Sequence, residues 1–328
     1  MALKIVITGG AGFLGSSLAR ALLKRGEAAG PDGKMTEIGE LVLVDLVAPA
    51  IDDKRVRPVV VKALSAEALD GVLGRDTDSV FHLAAVVSAA AEGDFDLGMT
   101  VNVDGIRAVL EACRKLPRPP RLVFTSSIAV FGGALPPVVP DSAAATPTNS
   151  YGAQKAIGEL MVADYARKGF IDGRALRLPT IVVRPGRPNK AASSFASGML
   201  REPLNGEDSI CPIGRETKVW ILSPRRAVEA LIGAHDLAAE KWGPRAALNL
   251  NGLSVTVGEM AAALERVAGA QVAGRIKWQP DPALQTIVGG WPGDFDTRRA
   301  AALGFKPDLD MDSIIRAYLE DHLPGGPR

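Results

Sequence analysis

Tyr151 and Lys155 stand four residues apart in a stretch with helical character, so both side chains share one face. That pair can move a proton. A phenol ionises near pH ~10 and is a poor base at neutrality. A lysine ammonium one turn away favours the phenolate and draws it toward the working range. The lysine has further donors with which to hold a ribose hydroxyl. Upstream, Thr125-Ser126-Ser127 closes the strand candidate Arg121–Thr125. Ligands of open α/β sheets bind outside the carboxyl ends of strands, and a hydroxyl there can hold the oxygen of a reacting alcohol. Serines at strand ends also serve as turn caps.

A second group of residues suits a dinucleotide. The run Lys4 to Gly15 is a β-branched strand ending in Gly9, Gly12 and Gly15, followed by an amphipathic segment from Ser16 to Arg25. In this spacing the first glycine allows a tight turn. The second lets backbone approach a pyrophosphate, and the third lets helix and strand pack closely. Free N–H groups and the helix dipole then favour the phosphates. Asp45 ends the strand candidate Glu40–Asp45, where a carboxylate accepts bonds from the adenosine ribose and repels a 2′-phosphate. This favours NAD over NADP, although Lys54 and Arg55 lie just downstream.

The elements that must position these residues alternate. Strand candidates are Leu3–Thr8, Glu40–Asp45, Val56–Val61, Ser79–Leu83, Arg121–Thr125 and Arg174–Leu178, with helices at Ser16–Arg25, Asn102–Leu116 and Ser150–Lys168. Solid apolar strands alternating with helices predict an α/β fold, a Rossmann-type doubly wound parallel sheet. Residues 26–39 read as an elongated surface loop. Beyond residue 185 the alternation becomes irregular, with a strand at Leu248–Asn251 and helices at Thr256–Val267 and Asp310–Leu319. Residues 1–184 are therefore expected to form an NAD-binding domain to which 219–252 return, and 185–328 mainly a smaller substrate-binding lobe.

Composition excludes several classes. The 328 residues are 47% hydrophobic and 23% charged, with a net charge of +1, which gives no electrostatic case for nucleic acid or an anionic membrane. Cys113 and Cys211 are too few for a disulfide framework, and no Cys/His cluster has metal-ligand spacing. The N-terminal apolar run is too short to span a membrane and lacks a signal-peptide cleavage pattern. A cytoplasmic protein without metal is expected.

In order along the chain, Thr8-Gly9-Gly10-Ala11-Gly12-Phe13-Leu14-Gly15, Asp45, His82-Leu83-Ala84-Ala85, Asn102-Val103-Asp104-Gly105, Thr125-Ser126-Ser127, Tyr151-Gly152-Ala153-Gln154-Lys155, Arg184-Pro185-Gly186 and Leu303-Gly304-Phe305-Lys306-Pro307 resemble the extended branch of the short-chain dehydrogenase/reductase family. The resemblance implies that Gly9, Gly12, Phe13, Leu14 and Gly15 hold the pyrophosphate of NAD. Leu83 and Ala84 would lie beneath its adenine–ribose half, and Asn102 would be a structural or cofactor-side polar group. Ser127 matches the catalytic hydroxyl, with Ser126 as the second choice, beside Tyr151 and Lys155. Where the family often has Gly-Asp-Leu this chain has Lys62-Ala63-Leu64, so an adenine-contacting aspartate is missing, and Ile106 replaces a common threonine.

The stretches Phe81–Ser88, Ala192–Gly198, Arg201–Leu204 and Ser223–Arg226 further resemble members that oxidise a four-carbon 2-hydroxy sugar acid at C2. Such a substrate needs a cation for its carboxylate. Arg184, following a strand, is the first candidate and Arg225 the second, since a guanidinium fork suits bidentate carboxylate binding. Ser88, Thr180, Ser193 and Ser194 are candidate hydroxyl partners. A nucleotide-sugar epimerase or dehydratase and a non-catalytic NAD-sensing module are the alternatives. The family's usual dimer pairs two helices per subunit, here Asn102–Leu116 and Ser150–Lys168, with Met161, Val162 and Tyr165 serving either that pairing or the core.

Overall fold

A computed structural model of the chain describes residues 2–186 and 192–327. Its strands are β1 (Leu3–Thr8), β2 (Glu27–Ala29), β3 (Met35–Asp45), β4 (Val56–Val60), β5 (Ser79–His82), β6 (Arg121–Ser127), β7 (Asp172–Leu178), β8 (Thr180–Ile181), β9 (Ser209–Cys211), β10 (Lys218–Leu222), β11 (Ala247–Asn249), β12 (Leu253–Thr256) and β13 (Ile276–Trp278). They divide between two compact units. One comprises Met1–Val130, Asn149–Arg177 and Val228–Leu248, the other Phe131–Thr148, Leu178–Ala227 and Asn249–Arg328. Segment 219–252 is thus shared, with only 228–248 in the first unit.

The first unit is built on a sheet ordered β11-β7-β6-β5-β1-β3-β2, with β4 also on β3. β1 runs parallel to β3 and β5, and β5 parallel to β6. Ile5, Val6 and Ile7 of β1 are wholly buried, as a strand covered on both faces requires. Register levels the strand ends: Thr8 pairs with Val44 on one side and His82 on the other, and His82 with Phe124. The carboxyl ends of β1, β3, β5 and β6 therefore form one edge. Val162 of the helix Ser150–Arg167 is core, and Met161 and Tyr165 pack against that core.

Two expectations need correction. Residues 26–39 are not a loop: β2 and the start of β3 form an antiparallel hairpin, Ala28 opposite Thr36, turned through Gly30 to Lys34 with Gly33 at φ +77°. Two-residue alternation over arms this short and polar is too weak to show. The helix expected from Asn102 is in fact a π-helix, Met99–Asp104, leading into an α-helix, Gly105–Arg114.

The second unit holds a three-stranded sheet, β12-β10-β8, a parallel pair β13-β9, and the helices Ser194–Leu204, Val257–Ala268 and Met311–His322. Capping boxes begin the last two, Thr256 with Glu259 and Asp310 with Ser313. Met199, Leu200, Met260, Leu264, Ile314 and Ile315 are among its buried core. Among the described residues no helix is long and apolar enough to cross a membrane, and no group of His, Cys, Asp or Glu is placed to hold a metal ion.

Candidate active site

The glycine turn folds as its spacing demands. Gly9 takes φ +74°, and a Cβ there would lie 2.7 Å from the Ala84 nitrogen. A Cβ on Gly15 would lie 2.0 Å from the Gly9 carbonyl oxygen, so helix and turn meet with no room for a side chain. At Gly12 the nearest atom to a Cβ is the Gly9 oxygen at 3.1 Å, and the residue is exposed. The helix Phe13–Arg25 that follows has no side-chain cap and no acidic residue in its first turn, whereas Asn149 caps the helix Ser150–Arg167 through Gly152 N–H. Uncapped N–H groups in a first turn that carries no acidic residue of its own suit a diphosphate.

Asp45 joins this cradle. Its carboxylate accepts from Ala11 N–H at 2.8 Å and from Leu46 N–H at 2.7 Å, one bond to each oxygen. Each oxygen has a further lone pair for a ribose hydroxyl. Arg55 is gripped by both oxygens of Asp53 and also donates to the Leu23 carbonyl, so its charge is already matched. Leu83 N–H donates to the Thr8 carbonyl at 3.1 Å, and Ala84 abuts Gly9. These residues fit the pyrophosphate and adenosine ribose of NAD.

Asn102 is buried and clamps backbone: Oδ1 accepts from Val86 N–H at 2.9 Å while Nδ2 donates to the Val86 oxygen at 3.0 Å and to Gln154 Oε1 at 2.7 Å. Its role is to tie the segment after β5, which leads to Ser88 at the start of a short helix, onto the helix that carries Tyr151.

Lys155 is buried and donates from Nζ to the Thr125 carbonyl at 2.8 Å. The same ammonium sits 4.8 Å from the Phe124 ring centre and 5.7 Å from that of Tyr151. Gly158 admits this packing, since a Cβ there would come within 2.7 Å of the Phe124 ring. Burial pushes Lys155 down to about 7, with the Glu159 carboxylate pulling the other way. His82 lies beside it, stacked on Phe124 and joined to Thr8 Oγ1 through Nδ1 at 2.7 Å. Burial, and then the Lys155 charge, push His82 down to about 3, so the imidazole is neutral.

The structure separates the two serines. Ser126 is buried and donates to Glu159 Oε1 at 2.5 Å, which commits its hydroxyl to the interior. Ser127 is only half-buried; its Oγ accepts from Ala129 N–H at 3.1 Å. It ends β6, and the helix bearing Tyr151 packs on that strand and on the turn Ile128–Val130.

The substrate candidates after residue 177 belong to the second unit. Thr180 lies in β8 opposite Ile221. Arg184 donates from its backbone to Ser197 Oγ and from Nη2 to the Ser193 carbonyl at 3.3 Å. Ser193 and Ser194 begin the helix Ser194–Leu204. Arg225 is held by Asp321 at 2.6 and 2.8 Å and by Glu320 at 2.9 Å, contacts that raise its pKa further, Asp321 foremost.

Sequence reasoning overlooked Glu159 and Arg177. The signal was available: Tyr151, Lys155 and Glu159 recur every fourth residue on one helix face, and Arg177 interrupts an apolar strand.

A family described as NAD dependent epimerase/dehydratase matches residues 5–238. The chain belongs to that family. Its fold agrees with that of other members: a solved structure described as the nucleoside-diphosphate-sugar epimerase from Agrobacterium tumefaciens superposes with TM-score 0.90 at 42% identity, covering 99% of this chain and 95% of that one. Among family relatives, the chain is similar to D-erythronate dehydrogenase of Cupriavidus necator, 55% identical over 97% of this chain and 98% of the relative. It is also similar to D-erythronate dehydrogenase of Haemophilus influenzae, 44% identical over 97% and 99%. Membership makes NAD the cofactor.

Proposed function

We propose that this protein is an NAD-dependent dehydrogenase that oxidises the C2 hydroxyl of D-erythronate to 2-oxo-tetronate, acting in the cytoplasm in sugar-acid catabolism. The observation that carries the reading is full-length similarity to two relatives of that name, together with a buried Lys155 held beside Tyr151.

In this reading Tyr151, as phenolate, accepts the proton of the C2 hydroxyl. Lys155 supplies the positive charge that favours the phenolate, and the Thr125 carbonyl fixes its direction. Ser127 holds the reacting oxygen by hydrogen bond. Gly9, Gly12, Phe13, Leu14 and Gly15 would hold the pyrophosphate, Asp45 the adenosine ribose and Leu83 with Ala84 the adenine side. Bound NAD supplies the acceptor for the hydride that leaves C2. Arg184 is the candidate for the substrate carboxylate, because Arg225 is already neutralised by two acids. Ser88, Thr180, Ser193 and Ser194 remain candidates for the other hydroxyls, whose unpaired burial would cost several kcal/mol, on the order of 1–3 each. Exposed Leu160 and Ile157 on the Tyr151 helix, with exposed Phe95 and Leu97, support a homodimer.

The test is NAD reduction with D-erythronate, D-threonate and L-threonate, with the product identified as a 2-oxo or a 3-oxo acid. No reduction with any of them refutes the reading. The epimerase reading rests on the name given to the Agrobacterium structure. Against it, the apolar Ile128 and Ala129 follow Ser127, where dehydratases of the family place acids. Thermal stabilisation by a nucleotide sugar beyond that by erythronate would favour it.

A further inference from the structure

Arg184 lies just beyond the end of β8 and belongs to no strand, yet one helix holds it at three points. Its backbone N–H donates to Ser197 Oγ at 3.1 Å, and its carbonyl accepts from Arg201 Nη1 at 2.9 Å. Its side chain donates from Nη2 to the Ser193 carbonyl at 3.3 Å. Ser193, Ser197 and Arg201 recur every fourth residue, so they share one face of the helix Ser194–Leu204 and of its N-cap. Ser197 is wholly buried and also donates to the Ile181 carbonyl at 3.4 Å, which ties the end of β8 to the same hydroxyl. Arg201 is buried too, and its Nη2 meets Glu202 Oε1 at 2.6 Å, so its charge is matched within the helix.

We propose that Ser197 and Arg201 are positioning residues: by holding both polar backbone groups of residue 184 they aim the Arg184 guanidinium at the substrate carboxylate. This rests on the reading of Arg184 as the partner of that carboxylate.

A guanidinium recognises a carboxylate through two parallel N–H bonds, and such a geometry tolerates little displacement. Arginine carries the fork on a long stem with high rotamer entropy, so fixing the base of the stem and steering its tip lowers the cost of binding. The bonds to Ser197 and Arg201 fix the base. The bond to the Ser193 carbonyl steers the tip toward the start of the helix, where Ser193 and Ser194 stand. Backbone alone can anchor a segment, as the Val182 N–H shows by donating to the Leu222 carbonyl at 3.0 Å. At residue 184 two buried side chains, one of them charged, are committed instead to a single half-buried residue. Burial of such groups is unfavourable unless they are bonded, so their conformations are tightly set and residue 184 is set with them.

The test is a double-mutant cycle read with D-erythronate and NAD. Ser197→Ala removes the hydroxyl, and kcat/KM for D-erythronate should fall about three- to tenfold, chiefly through KM. NADH affinity should stay within about twofold, because the glycine turn belongs to the first unit. Arg184→Met should lower kcat/KM at least about tenfold. Made in the Arg184→Met background, Ser197→Ala should change kcat/KM by less than about twofold, since no guanidinium remains to be aimed. A loss of the same size in both backgrounds marks Ser197 as merely structural and overturns the proposal, as does an unchanged kcat/KM in the single variant. If circular dichroism shows Ser197→Ala unfolded, Arg201→Met with Glu202→Gln enters the same cycle with the same outcomes; it breaks the other backbone bond and strands no charge. Failure of the underlying reading shows separately, as an Arg184→Met variant that keeps the kcat/KM of the wild type.

Discussion

The Lys155 ammonium donates to the Thr125 carbonyl across 2.8 Å, tying the helix that carries Tyr151 to the last residues of β6, where Ser127 stands. One bond thus ties the helix of Tyr151 and Lys155 to the strand of Ser127, the three residues of the proposed proton transfer. Because the carbonyl occupies a single donor, Lys155 keeps others for a ribose.

Tyr151→Phe keeps the ring and its packing while removing the proposed proton acceptor. Turnover with the true substrate should fall by about 10²–10⁴-fold. NADH affinity, measured by fluorescence, should stay within about threefold, because the proposed pyrophosphate cradle runs from Gly9 to Gly15. Turnover near the wild-type rate would remove Tyr151 from the chemistry.

The glycines should fail in different ways. A Cβ at residue 15 meets the Gly9 oxygen at 2.0 Å, so Gly15→Ala forces the turn open and should cost about 2–4 kcal/mol in denaturant titration, besides losing NADH binding. At Gly12 the closest approach is 3.1 Å and the surroundings are open. Gly12→Ala should melt close to the wild type yet bind NADH at least about tenfold more weakly, since the new methyl would enter the space proposed for phosphate. Equal NADH affinity in Gly12→Ala and the wild type would displace the pyrophosphate from this turn.

Asp45 bonds Ala11 and Leu46 through one oxygen each, and Asp53 keeps Arg55 from offering its charge elsewhere. Asp45→Ala removes the repulsion of a 2′-phosphate without supplying a cation. The NAD-to-NADP ratio of kcat/KM should fall about 10–100-fold, mostly through loss of activity with NAD. A ratio unchanged in steady-state assays would place discrimination elsewhere.

Lys155 also leaves a mark on stability. Its folded value is pushed down to about 7 by burial, so between about pH 7 and pH 10.5 the unfolded chain holds a proton that the folded one has shed. Stability contributed by this group therefore rises with pH across that window, and the burial cost is complete below it. Relative to the wild type, Lys155→Met should lose on the order of 2–4 kcal/mol between pH 6 and pH 10 in urea titrations. A difference flat in pH would show that the amine reaches water.

Much of this was legible in the residues. The run Lys4 to Gly15 announced strand, turn and helix because apolar and glycine positions serve the same local geometry. Tyr151 and Lys155 share a face by spacing alone. Family resemblance ranked Ser127 before Ser126, but the physical difference between them was not legible, because it lies in Glu159, thirty-odd residues away, claiming the Ser126 hydroxyl. The hairpin at 26–39 escaped because its paired arms are short and flank a turn of Gly30, Pro31, Asp32 and Gly33. The burial of Arg174 was not legible either: it heads the strand candidate Arg174–Leu178, yet its side chain is wholly buried.

Arg174 gives the last prediction. Its guanidinium takes Asp172 at 2.6 and 3.2 Å and donates to the Ala234 and His235 carbonyls, at the end of the helix Pro224–Asp236. A cation at a helix C-terminus is favourable, and the freed carbonyls have no water to turn to. Asp172 keeps Arg121 as a partner, which limits the damage. Arg174→Leu should therefore cost about 2–4 kcal/mol by urea titration. Asp172 begins β7 and Arg121 begins β6, so this cluster lies at the amino ends of the strands, opposite the edge formed by Thr8 and Ser127. NADH affinity of the folded variant should accordingly match the wild type within about twofold. A variant as stable as the parent would mean that the buried guanidinium is replaceable by packing alone, and one that is stable but blind to NADH would mean that the two edges of the sheet are coupled.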